Sequence, residues 1–201
     1  RIQEKPFPRL SYAESMEKYG YIRPDVREDN EDPNFLACRI VVDFPFFESD
    51  DKGGWTFTHN PFSAPKPEHM DDLLNKKDIG KILTTQYDVA LNGFEIGGGS
   101  IRNHQPVALR SVFEVMGFDG ETIDSQFGHM LTAFEHGAPP HGGIAFGMDR
   151  IVAILQNEPN IREVITFPKD GSARDWLMNA PSPLSDHALN DVHIKLDLDE
   201  K

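Results

Sequence analysis

Apolar positions along the chain switch between two periods, and the switches mark its elements. Ser11-Tyr12-Ala13-Glu14, after Pro6-Phe7-Pro8, reads as a capping box opening a helix that ends near Gly20. The acid-rich stretch from Asp25 to Pro33 has Val26 as its one large aliphatic residue and reads as a solvated loop or a junction. Residues 36–43 predict a strand buried on both faces, which Phe44-Pro45-Phe46-Phe47 carries into an edge or bend. Glu48–Gly54 is a polar turn, and Trp55–His59 reads as the returning strand. A proline-punctuated loop follows to Pro67, then a short helix near Met70–Asn75.

The hairpin after it is the plainest local signal. Gln86–Leu91 and Phe94–Ile96 flank Asn92-Gly93, the pair that a two-residue type I′ turn favours. Two amphipathic helices come next: Val107–Met116, then one carrying Ile123, Phe127, Leu131 and Phe134 and closed by Gly137. Gly142–Phe146 reads as a strand and Met148–Leu155 as a helix. A short strand is expected around Val164–Phe167 and a helix near Ser185–Leu189. Hairpins with helices between them predict an α+β fold: an antiparallel β-sheet flanked by helices.

Composition narrows this picture. The 201 residues, 38% hydrophobic and 26% charged, suit one large domain or two small ones. No apolar stretch is long enough to span a bilayer, so no membrane partner is expected. Arg1-Ile2-Gln3-Glu4-Lys5 lacks both the apolar core of a secretory signal and a starting Met, so the chain is expected to begin inside a longer parent. Acids outnumber bases 33 to 20, which makes the chain a poor candidate for non-specific nucleic-acid binding through Lys and Arg but leaves room for a local basic groove. The single cysteine, Cys38, excludes an intrachain disulfide, reads as a small buried hydrophobe and points to a reducing, cytoplasmic setting.

Candidate chemistry gathers at three places. A two-residue turn pairs Leu91 with Phe94, Ala90 with Glu95 and Asp88 with Gly97. Side chains alternate, so Asp88 and Glu95 share a face. Two carboxylates there suit Mg²⁺ completed by phosphate oxygens, or simply a solvated acidic strand. Gly97-Gly98-Gly99 weakens a strand unless another molecule approaches its backbone or a bulge redirects it. Strict alternation sets Arg102 on the face opposite Glu95, and a bulge among the glycines would reunite them. Arg102 is then either a carboxylate clamp or half of a structural salt bridge. Gly142–Arg150 is a glycine-rich strand, a glycine and a helix start. It either lets a planar base or phosphate lie on the backbone beneath Arg150 or makes a tight junction, and it is neither a Walker A loop nor a dinucleotide fingerprint.

Of the histidines, His59 ends a strand just before the proline loop. His129, His136, His141, His187 and His193 show no zinc spacing with cysteines. No G-x-S-x-G element is present. Trp55 and Trp176 read as packing residues.

At these residues the chain resembles a known family. Gly142–Arg150 looks like motif 3 of class II aminoacyl-tRNA synthetases, and Tyr87–Arg102 looks like the segment upstream of it in bacterial-type aspartyl-tRNA synthetases. Asp43-Phe44-Pro45, Thr58–Phe62, Asn160–Lys169 and Asn179-Ala180-Pro181-Ser182 fit in the same order, as do Pro6–Arg9, Tyr12-Ala13 and Asp25-Val26-Arg27. The resemblance covers nearly all of the chain. It implies the class II catalytic core, in part, and ATP-dependent activation of aspartate followed by transfer to tRNA. It also implies roles. Asp88 and Glu95 would hold Mg²⁺ on the ATP phosphates. Arg102 would clamp the aspartate side chain, with His59 over the substrate's amino-acid end. Gly147, Met148, Asp149 and Arg150 would line the ATP site together with Glu95, and Glu95 and Arg150 would be the catalytic pair.

The family pattern is also incomplete. Its anticodon-binding barrel, motif 1 with the homodimer interface, motif 2 with its phosphate-binding Arg, and the loop closing over aspartate have no counterpart. A large domain that bacterial members insert after the position of Arg27 is replaced by a short acidic stretch near 28–35. Asn60 stands where the family has the second of two histidines. Residues 1–201 therefore read as the C-terminal portion of a catalytic domain, needing the missing half for activity. An amide ligase of the same lineage and a non-catalytic interaction module are the competing readings. Gly99–His104 departs from asparaginyl- and lysyl-type patterns.

Overall fold

A computed structural model describes residues 1–197. Its centre is a five-stranded sheet in the order β1-β2-β5-β6-β7. The strands are β1 (Arg9–Ser11), β2 (Cys38–Val42), β5 (Gln86–Leu91), β6 (Phe94–Ile101) and β7 (Gly142–Phe146). Every pairing from β2 to β7 is antiparallel. The edge strand β1 pairs with β2 in parallel and has no counterpart in the hydrophobic pattern. Three residues are too few to show a period of two, so only tertiary pairing reveals it.

Local chemistry explains most boundaries. Ser11 caps α1 (Tyr12–Tyr19) in a reciprocal box with Glu14, and Gly20 closes it in the left-handed region at φ 77°. The Ser11 amide and hydroxyl both donate to the Glu14 carboxylate, holding it below the usual carboxylate range. β2 stops at Asp43, whose φ of 62° breaks the extended run. The Phe44–Phe47 segment therefore does not prolong β2. Instead β3 (Phe47–Ser49) and β4 (Trp55–Phe57) form a separate two-stranded hairpin. Its turn is held by Asp50, whose carboxylate accepts the Lys52 and Gly54 amides. The expected strand around Val164–Phe167 is not formed. A single 3₁₀ turn at Ile161–Glu163 and irregular chain take its place, and no strand of the five-stranded sheet or of the hairpin includes these residues.

Three small cores support the sheet. Phe46, Phe47, Leu73, Ile82, Ala108 and Val112 join the hairpin to α2 (Met70–Leu74) and α3 (Pro106–Val115). Leu109, Phe113, Ile123 and Leu131 join α3 to α4 (Gly120–Glu135), with Phe113 stacked on Phe127 at 4.1 Å between centroids. Cys38, Val89, Leu91 and Ile96 cover one sheet face beneath α5 (Met148–Leu155), which brings Ile151 and Ile154. Cys38 is buried there at 6% exposure. The last helix, α6 (Asp186–Asp191), is capped by Ser185. Trp55 packs against the first core, whereas Trp176 is 71% exposed and donates its indole N–H to Asp170, so it is not a packing residue. No helix among the described residues is long and apolar enough to cross a membrane.

Candidate active site

The β5–β6 hairpin carries the site. Asn92 and Gly93 take φ of 49° and 85°, the doubly left-handed turn that only such residues adopt readily. Asn92 also docks the turn. Its Oδ1 accepts the Ala37 amide at 2.9 Å and its Nδ2 donates to the Phe35 carbonyl at 3.0 Å.

Ladder pairing is regular from Leu91↔Phe94 to Ala90↔Glu95, then slips by one. Val89 pairs with Gly97 and Asp88 with Gly98, not Gly97. The extra residue is Ile96, so the bulge sits just before the three glycines rather than among them. Its effect on facing is the one that the triplet suggested. Glu95 is opposite Ala90, two residues from Asp88, while Gly98, Ser100 and Arg102 follow on Asp88's face. The slip thus brings Asp88, Glu95 and Arg102 to one side of the sheet. Ile96 turns into the apolar cluster on the other side.

The glycines are required by close approach. A Cβ on Gly98 would lie 2.7 Å from Asp88 Oδ1. A Cβ on Gly99 would strike the Gly143 carbonyl of β7. Bare backbone lets β7 lie close and makes a flat floor under the carboxylates. The β6–β7 ladder ends at Gly97↔Phe146, so the bulge carbonyls need other donors. The Gly147 amide donates to Ile96 at 2.7 Å, and Arg150 Nη1 donates to the Glu95 carbonyl at 2.6 Å. The start of α5 is thereby fastened to the bulge.

One open cleft of about 350 Å³ results. His59, Asp88, Glu95, Arg102, Gly147 and Arg150 line it, with Asn60, Gln86 and Ala145. Met148 and Asp149 are not in its lining; Met148 is 66% exposed, because the turn into α5 points it away from the sheet. Asp88 is 3% exposed. Its Oδ1 accepts Gln86 Nε2 at 2.9 Å, while Oδ2 lies 3.4 Å from His59 Nε2 and has no aligned hydrogen-bond partner among the described residues. The nearby Asp88 carboxylate, as acceptor and as charge, raises the His59 imidazole above its ordinary value; partial burial opposes this, and Glu95 and Glu48 add to it. Phe44, fully buried, meets the His59 ring edge-on at 4.7 Å and fixes its plane.

Chemically, the cleft offers two carboxylates, two guanidinium groups and a floor without side chains. Among the described residues the Arg102 guanidinium donates to no protein acceptor, and Arg150 donates only to the Glu95 carbonyl. Unpaired forks suit a carboxylate or phosphate ligand. No group of three His, Cys, Asp or Glu side chains among the described residues makes a metal cage. A cation that keeps waters and takes phosphate oxygens needs only one or two carboxylates, and Asp88 Oδ2, engaged only by the 3.4 Å His59 contact, fits that demand. Sequence reading had not singled out Gln86 or Ser63. Gln86 lies two residues before Asp88 on the same strand, and the period of two was the signal that could have found it.

Most of the chain matches part of longer proteins. The chain is 52% identical over 157 residues to the aspartate–tRNA(Asp/Asn) ligase of Phenylobacterium zucineum, covering 78% of this chain and 26% of that protein. It is 51% identical over 170 residues to the ligase of that name from Prosthecochloris aestuarii, covering 83% and 27%. The chain therefore spans about a quarter of the length of the curated relatives it matches. Among solved structures, the aspartyl-tRNA synthetase of Entamoeba histolytica superposes with a TM-score of 0.58 at 24% identity, over 85% of this chain and 33% of that one. The asparaginyl-tRNA synthetase of that organism, solved with asparaginyl-adenylate, also gives 0.58 at 21% identity, over 86% and 37%. These two likenesses establish the α+β class II synthetase fold. The model of the family "tRNA synthetases class II (D, K and N)" matches residues 2–171, and the chain belongs to that family.

Proposed function

We propose that the chain is the ATP- and amino-acid-binding part of an aspartate–tRNA ligase, working in the cytoplasm with the other parts of such an enzyme. The observation that carries this reading is the single cleft joining Asp88, Glu95, Arg102, His59, Gly147 and Arg150 across a glycine floor. Arg102 holds the side-chain carboxylate of aspartate through its free fork. His59 borders the amino-acid end. Arg150 meets the adenine and phosphate tail, and Gly147 leaves room for it. Met148 and Asp149 have no part in this reading, because they lie outside the cleft lining.

Asp88 and Glu95 would hold Mg²⁺, which when bound neutralises phosphate charge. The chain's own residues orient the two substrates so that the aspartate α-carboxylate attacks the ATP α-phosphorus. A carboxyl–phosphate bond forms, the bond to pyrophosphate breaks, and aspartyl-adenylate results. Positioning and charge neutralisation account for this step without a protein base. Transfer to tRNA, homodimer formation and closure over aspartate are assigned in this reading to other segments of a longer enzyme. Residues 28–34 form an irregular, largely exposed loop that ends at the buried Phe35, and we propose the stretch near 28–35 as the point where the longer relatives carry an inserted domain.

Aspartate-dependent ATP–pyrophosphate exchange tests the reading. The chain alone is expected to be silent, and mixing it with the remaining portion of the Phenylobacterium relative restores exchange. Arg102→Ala in the mixture lowers exchange at least a hundredfold. Exchange that ignores aspartate, or that survives Arg102→Ala, overturns the proposal.

A further inference from the structure

At the edge of the cleft, Gln86, Asn60 and Ser63 form a polar network around Asp88, and none of the three has a role assigned above. Gln86 is 7% exposed on β5, two residues from Asp88. Its Nε2 donates to Asp88 Oδ1 at 2.9 Å. Its Oε1 faces the Ser63 hydroxyl at 3.4 Å and Asn60 Nδ2 at 3.5 Å. The amide can point only this way. A carboxylate oxygen accepts and cannot donate, so the NH₂ must face Asp88 and the carbonyl must face the two donors. Ser63 is 1% exposed, and its hydroxyl also approaches Asn60 Oδ1 at 3.3 Å. Gln86 therefore ties the loop that follows His59 to the strand that carries Asp88.

The two oxygens of Asp88 have unequal surroundings. Oδ1 is fixed by Gln86 and lies over the space that a Cβ on Gly98 would fill. Oδ2 is buried without an aligned partner beside His59. A hydrogen bond at one oxygen restrains the rotation of the carboxylate and so favours one direction for the other oxygen. We propose that Gln86 is a positioning residue that locks the Asp88 carboxylate with Oδ2 presented to a divalent cation in the cleft. The proposal rests on the cation reading given above. In this reading Gln86, although it also borders the cleft, acts through Asp88 rather than as a ligand of the cation.

Mn²⁺ titration of the 201-residue chain tests it. Binding is followed by paramagnetic broadening of the Gly98 and Ala145 amide resonances, below the thermal transition of each variant. Gln86→Met keeps the side chain's length and removes its donor. It is expected to weaken Mn²⁺ binding about tenfold or more, as loss of a hydrogen bond to a charged group does. Ser63→Ala leaves the donor in place and is expected to stay within about threefold of the unsubstituted chain, since a neutral contact contributes less. Should Gln86→Met fail to fold, Gln86→Asn, polar but too short to reach Asp88, carries the same comparison. A folded Gln86 variant that binds Mn²⁺ as tightly as the unsubstituted chain overturns the positioning role and leaves the cation reading standing. No broadening at Gly98 and Ala145 in the unsubstituted chain overturns the cation reading, and this proposal with it.

Discussion

His59 and Asp88 show what a single contact decides. The imidazole lies 3.4 Å from a carboxylate that is 3% exposed, and its proton affinity rises in consequence. A histidine whose folded value exceeds its unfolded one adds stability that is fully present below the unfolded value, near 6.5. That contribution is lost as pH rises through the higher folded value. Asp88→Asn removes the cause. The expected outcome is a His59 midpoint shifted downward in an NMR titration of the ring protons, together with a flatter loss of thermal stability above neutrality. An unchanged midpoint would mean that the pair does not form in solution. The pattern of residues had suggested His59 only through its place at a strand end. Its partnership with Asp88 joins positions 29 apart on separate elements, which no local period can express.

Elements here are set by punctuation and finished by packing. Capping chemistry at Ser11 and the Asn92-Gly93 turn were both legible, because each is complete within a few residues. Asn92 does more than turn the chain. Replacing it by Ala strands the Ala37 amide and the Phe35 carbonyl and forces Ala into a left-handed backbone. The expected cost is about 3 kcal/mol in urea unfolding. Gly99→Ala should act differently. The new methyl collides with the Gly143 carbonyl, which also accepts the Tyr87 hydroxyl at 2.7 Å. Amide exchange should then speed up along β7 while β5 stays protected, and equal protection of both strands would contradict the close-approach reading. In the helical layer, Phe113→Ala removes a ring that is 1% exposed and stacked on Phe127. About 3–5 kcal/mol is expected, measured by chemical denaturation.

Over the whole molecule, the sheet has a chemical face and a bare one. Beside α5 an entirely apolar groove of about 280 Å³ is lined by Phe7, Leu36, Ile40, Ile144 and Phe146, among others. Phe146 is 55% exposed and Ile144 45%. Contiguous apolar surface on this scale binds environment-sensitive dyes. The native chain should enhance the fluorescence of anilinonaphthalene sulfonate, and Phe146→Ser should reduce it by at least half at unchanged melting temperature. No enhancement would show the groove to be closed in solution. One helix cannot cover a five-stranded sheet, since strands lie about 4.8 Å apart and a helix is about 10 Å wide. The fold alone thus leaves apolar surface uncovered, in keeping with a chain that spans a quarter of its relatives.

By itself the sequence determined what local chemistry can encode: the caps, the hairpin turn, the amphipathic helices, and the common face of Asp88 and Glu95. Those features depend on residues within one turn or one hairpin, where spacing is geometry. Tertiary structure alone decided the rest. The bulge at Ile96, not in the glycine triplet, set Arg102 on the same face as Glu95 and in the same cleft, by shifting the ladder by one residue. The parallel pairing of the edge strand β1 with β2, and the irregular chain at Val164–Phe167, are likewise visible only in the fold. The Asn60–Ser63–Gln86–Asp88 network came from a loop and a strand that meet only in the folded chain. A sequence states which groups are available, but a buried polar atom finds its partner in three dimensions, where burial makes the choice costly to get wrong.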